Sequence, residues 1–328
     1  ERIQLVSSQN VIIDLTEFLV ELNIYEDIFL NYLHGTIVLT DSRNLIDTLP
    51  IIGEEYLMVK IRTPGFSDVI EKSFRVYKCT DRVIVRDNNT QNFVLHFASV
   101  ELFYDILLPL FIPFEGDIHS IVGTIFDNYI ATSRNYEIAQ TEDNIKEIEK
   151  VTPLIVLNET SNKIKFVSPG WTPFKCINWL ASKAIPKNEK ANNYLFFETN
   201  KAFYFGSIEY LFKDAYENNN YLGEYSTAIS NIRDGSKAVD VNREMFIASD
   251  VSMKSTTDHI RNYTSGYLSS RLIELDVINK QYQVKDYDYV TEYKNQFHSS
   301  GPGSKAVPVF KEESLRNPVQ NISYYPKN

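Results

Sequence analysis

Period-two alternation of apolar and polar residues dominates the first hundred positions, and it limits what the chain can build there. Phe18, Val20, Leu22 and Ile24 alternate with Glu17, Glu21 and Asn23. A second run covers 36–40 after Gly35. A third covers 56–62, with Leu57, Val59 and Ile61 on one face. Runs at 74–80, 82–86 and 92–100 continue the series, with Asp87-Asn88-Asn89 as the turn between the last two. Such alternation, bounded by Asn, Asp, Gly and Pro, marks half-buried antiparallel strands. Five or six of them in about a hundred residues suit a small barrel or sandwich. Val20, Leu22, Val59, Ile61, Leu95 and Phe97 are expected to share one β core.

The pattern breaks near Pro109 and Pro113, which mark a boundary. Ile118, Ile121, Val122, Ile125, Phe126, Tyr129 and Ile130 then fall on one helical stripe, with Asp117 as the N-cap. Residues 141–150 are polar and read as a surface segment. A second helix is expected from Thr172 as N-cap and Pro173 as first helical residue. Phe174, Ile177, Trp179, Leu180 and Ala184 would line its buried side, and Pro186 would end it. The clearest hairpin follows: 194–198, a turn at Thr199-Asn200-Lys201, then 202–205. Strands return at 243–249, at 269–277 with Leu272 and Leu275, and at 282–289 across an Asn279-Lys280 turn. The chain from His298 onward, opening with Ser-Ser-Gly-Pro-Gly-Ser, reads as an extended arm or loop.

The expected class is therefore α+β, mainly β. The expected division is a first β domain over 1–110, an α+β middle over 111–235, a second β domain over 236–297 that may be incomplete, and an arm over 298–328. A chain of 328 residues has room for about two cores.

Chemistry-bearing patterns are sparse. The sequence holds no phosphate-binding glycine loop, no HExxH and no GxSxG. His34, His96, His119, His259 and His298 stand far apart, without metal-ligand spacing, and His96 reads as a core histidine. Cys79 and Cys176 form neither a CxxC pair nor a zinc spacing, and both are expected as buried thiols in a reducing compartment. Acidic residues are plentiful enough that a glycosidase pair could be assembled on paper, but abundance does not make a site. We expect no catalytic, cofactor-binding or metal-binding residues and no enzymatic activity. No window of about twenty apolar residues suggests a membrane span, and no signal peptide opens the chain.

The formal net charge is −10, and Lys and Arg are scattered, the nearest cluster being Lys183, Lys187 and Lys190. That pattern lacks the basic stripe of a nucleic-acid binder. An acidic surface lets a duplex slide past without sticking. The 21 Tyr and 20 Phe suit either broad contact surfaces or a β-rich interior.

Several stretches resemble the baseplate central hub proteins of contractile-tailed bacteriophages of the T-even type. They are the run from Gly35 to Gly53, the Phe-Arg-Val-Tyr-Lys-Cys-Thr of 74–80 with the hairpin up to Ser99, the helix and hairpin of 171–212, and the Ser-Ser-Arg-Leu-Ile-Glu-Leu-Asp of 269–276. The likeness extends over nearly the whole chain and lies in structural segments rather than a catalytic fingerprint. It implies two tube-type antiparallel β-barrel domains flanking an α+β domain. It also implies a homotrimeric ring that adapts a sixfold tail tube to a threefold central spike. The implied partners are tail tube proteins above, the spike protein below and baseplate wedge proteins. DNA would pass through the lumen without specific binding, and no membrane is involved. The implied location is the virion tail baseplate, with the host cytoplasm during assembly. A departure from the pattern is the second β region, which has fewer clear strands than the first. The alternatives are a spike-associated cell-wall hydrolase, which needs two carboxylates converging in a cleft, and a carbohydrate-binding tail module, which needs an exposed aromatic platform.

Overall fold

The computed structural model describes residues 2–7, 11–43, 51, 53–62, 69–85, 90–135, 151–188, 192–218, 247–248, 252, 258–293 and 321–326. The chain divides into two compact units, Glu1–Tyr210 and Leu211–Asn328. The α+β, mainly β class expected from the sequence is what the strand content and order give. Among the described residues no helix is long and apolar enough to cross a membrane.

The first unit opens with seven strands: β1 (Arg2–Val6), β2 (Ile12–Asp14), β3 (Leu19–Tyr25), β4 (His34–Asp41), β5 (Tyr56–Arg62), β6 (Val69–Val85) and β7 (Thr90–Ser99). They form one curled sheet in the order β2-β1-β5-β6-β7-β4-β3. Every ladder in it is antiparallel. The two edge strands, β2 and β3, are consecutive in sequence. The turn between them is pinned by Leu15 N–H donating to Ile3 O at 2.8 Å and Phe18 N–H donating to Leu15 O at 3.0 Å. The curl therefore brings its own edges together at one end, and its concave face encloses Ile3, Leu5, Ile37, Leu39, Leu57, Val59, Phe74, Val76, Phe93, Leu95 and Phe97.

Two of these strands, β1 and β2, are absent from the sequence-based series. They are short, and Gln4 and Asp14 blur their alternation. The runs at 74–80 and 82–86 belong to one strand, β6, which continues through register shifts at Val76/Lys78 and Thr80/Val83. Asp81, at the second shift, has a φ of 56°, a backbone state that Asp tolerates better than most residues. The turn at Asp87-Asn88-Asn89 lies outside the described residues.

Gly35 does not precede its strand but sits inside β4, opposite Phe97. A Cβ there would fall 2.1 Å from Asn23 O and 2.4 Å from the Phe97 ring. Only glycine admits that approach, and the Phe97 ring covers the gap. Phe97 also meets Phe74, with ring centroids 4.8 Å apart.

Of the six expected core residues, Val59, Leu95 and Phe97 are fully buried, and Leu22 and Ile61 pack on the cluster from its margin. Val20 is 61% exposed. The ladder with β4 jumps from Leu19↔Leu39 to Glu21↔Val38, so Val20 is the extra residue of a bulge on an edge strand. A bulge shifts the side-chain phase by one, which turns Val20 outward. Cys79 is likewise exposed, whereas Cys176 is buried as expected.

After β7 the chain turns directly into α1 (Val100–Leu107), which the alternation at 92–100 did not announce. The α+β lobe of the same unit follows: β8 (Pro113–Asp117), α2 (Ile118–Ile125), a π-helical turn (Phe126–Ala131), β9 (Leu154–Val156), β10 (Lys163–Val167), α3 (Pro173–Ala181), β11 (Tyr194–Glu198) and β12 (Phe203–Ser207). β8 pairs with β10, and β12 lies between β11 and β9. The expected stripe of α2 is buried at Ile118, Ile121, Val122 and Ile125, and the π turn continues it with Phe126 and Ile130. These meet Phe174, Ile177 and Leu180 of α3 and Phe196, Phe203 and Phe205 of the hairpin in one core. Asp117 is the N-cap residue of α2 and Thr172 that of α3, yet neither side chain bonds the helix backbone. The segment 141–150 lies outside the described residues. α4 (Ile208–Glu217) leads out of the first unit.

The second unit holds α5 (His259–Thr264), β13 (Ser269–Asp276), β14 (Gln281–Asp288), α6 (Tyr289–Glu292) and β15 (Ile322–Pro326). The hairpin expected at 269–289 is there, and Lys280 turns it with a φ of 51°. The region after His298 is not wholly an arm. Its end, β15, pairs in parallel with β13. Two tyrosines and an isoleucine in Ile-Ser-Tyr-Tyr-Pro give that end strand character, which the flanking Pro and Asn masked in the sequence reading. Of the strand expected at 243–249, only residues 247–248 lie within the described residues.

Truncating Phe97 to Ala is expected to cost about 3–5 kcal/mol in denaturant unfolding, because both a buried ring and the cover over Gly35 are lost. Val20→Ala should cost less than about 1 kcal/mol, since the side chain is already in solvent.

Candidate functional site

The polar chemistry of the first unit concentrates where the curled sheet meets the α+β lobe. Glu198, the last residue of β11, is 1% exposed. Its Oε2 accepts the Leu33 N–H at 2.8 Å and the Ser99 hydroxyl at 2.6 Å. Its Oε1 accepts the ammonium of Lys72, which is 7% exposed on β6. One carboxylate thus binds the entry to β4, the end of β7 and the first part of β6 together. Full burial pushes the Glu198 carboxyl up to about 7, the Lys72 ammonium pulls against that rise, and the charge of Glu101 adds to it.

A second buried carboxylate sits on α1, the helix between the sheet and the α+β lobe. Asp105 of α1 is buried, and its Oδ1 accepts the Phe174 N–H at 2.5 Å. That amide belongs to the first turn of α3, where backbone donors lack helical partners. Thr172 holds the N-cap position, but the capping acceptor for Phe174 comes from α1. Burial pushes Asp105 up to about 6, against the pull of its bonds to Phe174 and Thr172.

Three further bonds cross the same boundary. Asn31 donates to the Phe196 carbonyl at 2.6 Å. Asn178 donates to the Asn31 side-chain oxygen at 2.6 Å. The Asn200 N–H donates to Glu26 at 2.7 Å. Beside the Lys72–Glu198 pair lies a cavity of about 190 Å³ lined by Lys72, Ser73, Glu101, Thr152, Asn200 and others. Ser73 Oγ and Asn200 Oδ1 are buried there without a protein partner, the arrangement that internal water satisfies.

None of these residues stood out in the sequence as a group. Glu198 ends an aromatic strand, Lys72 interrupts an alternating one, and 126 positions separate them. The only available signal was a charged residue in each of two otherwise apolar runs. The residues singled out in the sequence are dispersed. His96 bonds Thr80 at 2.9 Å on the outer side of the sheet. His119 contacts Thr160 at 2.9 Å, and His34 lies against Tyr25 and Tyr32. Lys187 pairs with Glu159 in the open, while Lys190 lies outside the described residues. Among the described residues no group of three or more His, Cys, Asp or Glu side chains is placed to hold a metal ion. The junction is a structural clamp made of acid–base chemistry.

No protein-family profile matches the chain, and no curated protein sequence does. Solved structures with a similar course include the 43 kDa tail protein of prophage MuSo2 from Shewanella oneidensis, at 11% identity and TM-score 0.43, over 100% of this chain and 72% of that one. Another is a tail protein from Neisseria meningitidis MC58, at 8% identity and TM-score 0.37, over 62% of this chain and 51% of that one. A third is the lidded PdpA-VgrG complex of Francisella, at 11% identity and TM-score 0.43, over 100% of this chain and 39% of the matched one. The fold class itself rests on the chain's own strand order and cores.

Replacing Lys72 with Ala should leave the Glu198 carboxylate buried and unpaired. The expected loss at pH 8 is about 3–5 kcal/mol in urea unfolding. Loss of an exposed pair such as Lys187–Glu159, by Lys187→Ala, should be close to neutral.

Proposed function

We propose that this chain is a structural subunit of a phage-type contractile tail: a baseplate hub protein that forms a homotrimeric ring, joins the sixfold tube to the threefold spike and lets DNA pass. The observation that carries the reading is the outer surface of the curled sheet. Val11 and Ile12 at β2 are 42% and 40% exposed, and Val20 of β3 is 61% exposed. The far end of the long β6 presents Val83 and Ile84 at 57% and 65%. Apolar side chains therefore stand at both sheet edges and on the hairpin arm. Exposed apolar groups set around a β lobe are what subunits of a closed ring bury against their neighbours. The sequence resemblance to T-even-type hubs supports the same reading, as does a first unit whose polar residues clamp two lobes together.

In this reading the partners are further copies of the chain, tube proteins above, a spike below and wedge proteins around, in the virion tail. The chain performs no catalysis of its own and needs no cofactor. The acidic balance, 43 Asp and Glu against 33 Lys and Arg, suits a lumen that repels rather than holds a duplex.

Native mass spectrometry at micromolar concentration and neutral pH is expected to show a trimer, alone or when tube or spike protein is added. Monomer under all these conditions would defeat the ring reading. Val83→Asp with Ile84→Asp should weaken assembly without lowering the melting temperature. If hydrolysis of peptidoglycan or retention on a glycan array appears instead, the hydrolase or carbohydrate-binding alternative takes its place. Duplex DNA at low salt should bind more weakly than micromolar, and a tighter, steeply salt-dependent affinity would reveal a basic track.

A further inference from the structure

Besides the short β2, the curled sheet presents two longer open edges, and they differ in charge. One is β3, the outermost strand, whose described partner is β4 alone. Between 17 and 27 this strand and its flanks carry Glu17, Glu21, Glu26 and Asp27 and no Lys or Arg. The other edge lies within β6. Its ladder with β5 ends at Tyr56↔Arg75, and the Val76 N–H then donates to Glu55 O at 2.8 Å. Over 77–85 the strand is held by β7 on one side, and among the described residues no strand pairs with its other side. That stretch carries Lys78, Arg82 and a single carboxylate, Asp81, which already accepts the Thr80 hydroxyl at 2.9 Å. An edge strand offers its backbone N–H and C=O groups to an extended segment of another chain. Here the side-chain charges choose which segment.

We propose, on the basis of the ring reading above, that the open edge of β6 in one copy receives β3 of the next copy, so that the curled sheets continue into each other through every subunit interface. The exposed apolar side chains suit this contact: Val20 on β3, and Tyr77, Val83 and Ile84 on β6. Among the carboxylates, Glu17 is engaged by Arg43, Glu26 by the Asn200 N–H and Asp27 by the Phe29 N–H. Glu21, in mid-strand, has only the Asn23 amide at 2.7 Å among the described residues. It is the carboxylate that Lys78 and Arg82 of the neighbouring edge would answer. Two β3 edges brought together would set carboxylate against carboxylate, and two β6 edges would set cation against cation. Like charges across a strand pair are destabilising. Charge thus disfavours a two-fold dimer through either edge and selects the mixed pair. A mixed pair is head-to-tail, a contact that repeats until the ring closes. The irregularities of both strands serve the same selection. Register shifts at Val76/Lys78, at Thr80/Val83 and around Val20 shorten the backbone ladder that either edge can offer. Bulged edges resist strands of arbitrary sequence, which leaves the choice of partner to the side chains.

Charge reversal in the full chain tests this, under whichever condition assembles the wild type, alone or with tube or spike protein. Glu21→Lys, or Lys78→Glu with Arg82→Glu, should weaken assembly about tenfold or more. All three changes in one chain restore opposite charges at every interface and should recover most of that loss. Reversals without effect, or a combination no better than its parts, overturn the edge pairing while the ring stands. A wild type that stays monomeric under all these conditions defeats the ring reading and this interface with it. Cys79, exposed on the β6 edge, gives an independent readout. A cysteine placed in turn at Val20, Glu21 and Asn23 should be trapped by a thiol oxidant in an intermolecular disulfide that disappears when Cys79→Ser is added. Assembled chains that give no Cys79-dependent cross-link at any of the three positions also overturn the pairing.

Discussion

A single buried carboxylate organises the described part of the first unit. Glu198 ends a strand of the α+β lobe, yet all of its partners lie in the sheet lobe: a backbone amide, a hydroxyl and an ammonium. Burying a charge costs several kcal/mol unless its lone pairs are filled. Here they are filled only if β6, β7 and the entry to β4 meet β11 in one register. The hydrophobic cores of the two lobes are separate clusters, and apolar contact alone would allow them to slide. The carboxylate is directional where the cores are not, and the Asp105 cap on α3 adds a second fixed point. That pairing of specificity with modest net stability is the use to which buried polar groups are best put.

The curled sheet shows the same division between general and particular forces. Its concave face is filled by alternate residues of five central strands, as period-two burial requires. Its shape depends on local exceptions. Gly35 lets a Phe97 ring lie across the strand, the bulge at Val20 turns the edge residue outward, and the shifts in β6 bend the longest strand. These irregularities set the curvature that lets β2 and β3 approach each other. They also place valine and isoleucine on the outside, where the proposed assembly would cover them.

The second unit is built differently. All three clusters of buried apolar side chains among the described residues belong to the first unit. In the second, register puts Ile273, Leu275, Tyr282, Val284, Ile322 and Tyr324 on one face of the three-stranded sheet. Arg271 and Asp286 close its end with a two-pronged ion pair, at 2.6 and 2.7 Å. Tyr282 and Tyr324 are 72% and 66% exposed on that face. A sheet of three strands gains its stability from what packs on such a face.

Much of the secondary structure was legible because burial imposes a period on sequence. The strands at 56–62 and 194–198, the stripe of α2 and the start of α3 at Pro173 all follow from spacing and from cap or proline chemistry. The sequence by itself therefore determined the α+β, mainly β class and most of the α+β core, but only part of the core under the curled sheet, whose Ile3, Leu5, Leu15 and Leu33 it did not single out. It could not determine where the alternation slips, because a bulge such as that at Val20 changes phase without changing composition. Nor could it reveal the junction. Lys72, Ser99, Asp105 and Glu198 are ordinary surface residue types, and no local pattern distinguishes a charge bound for solvent from one bound for a partner 126 positions away. Only the tertiary structure decides that, because the solvation of a charge depends on everything packed around it and not on its neighbours in the chain.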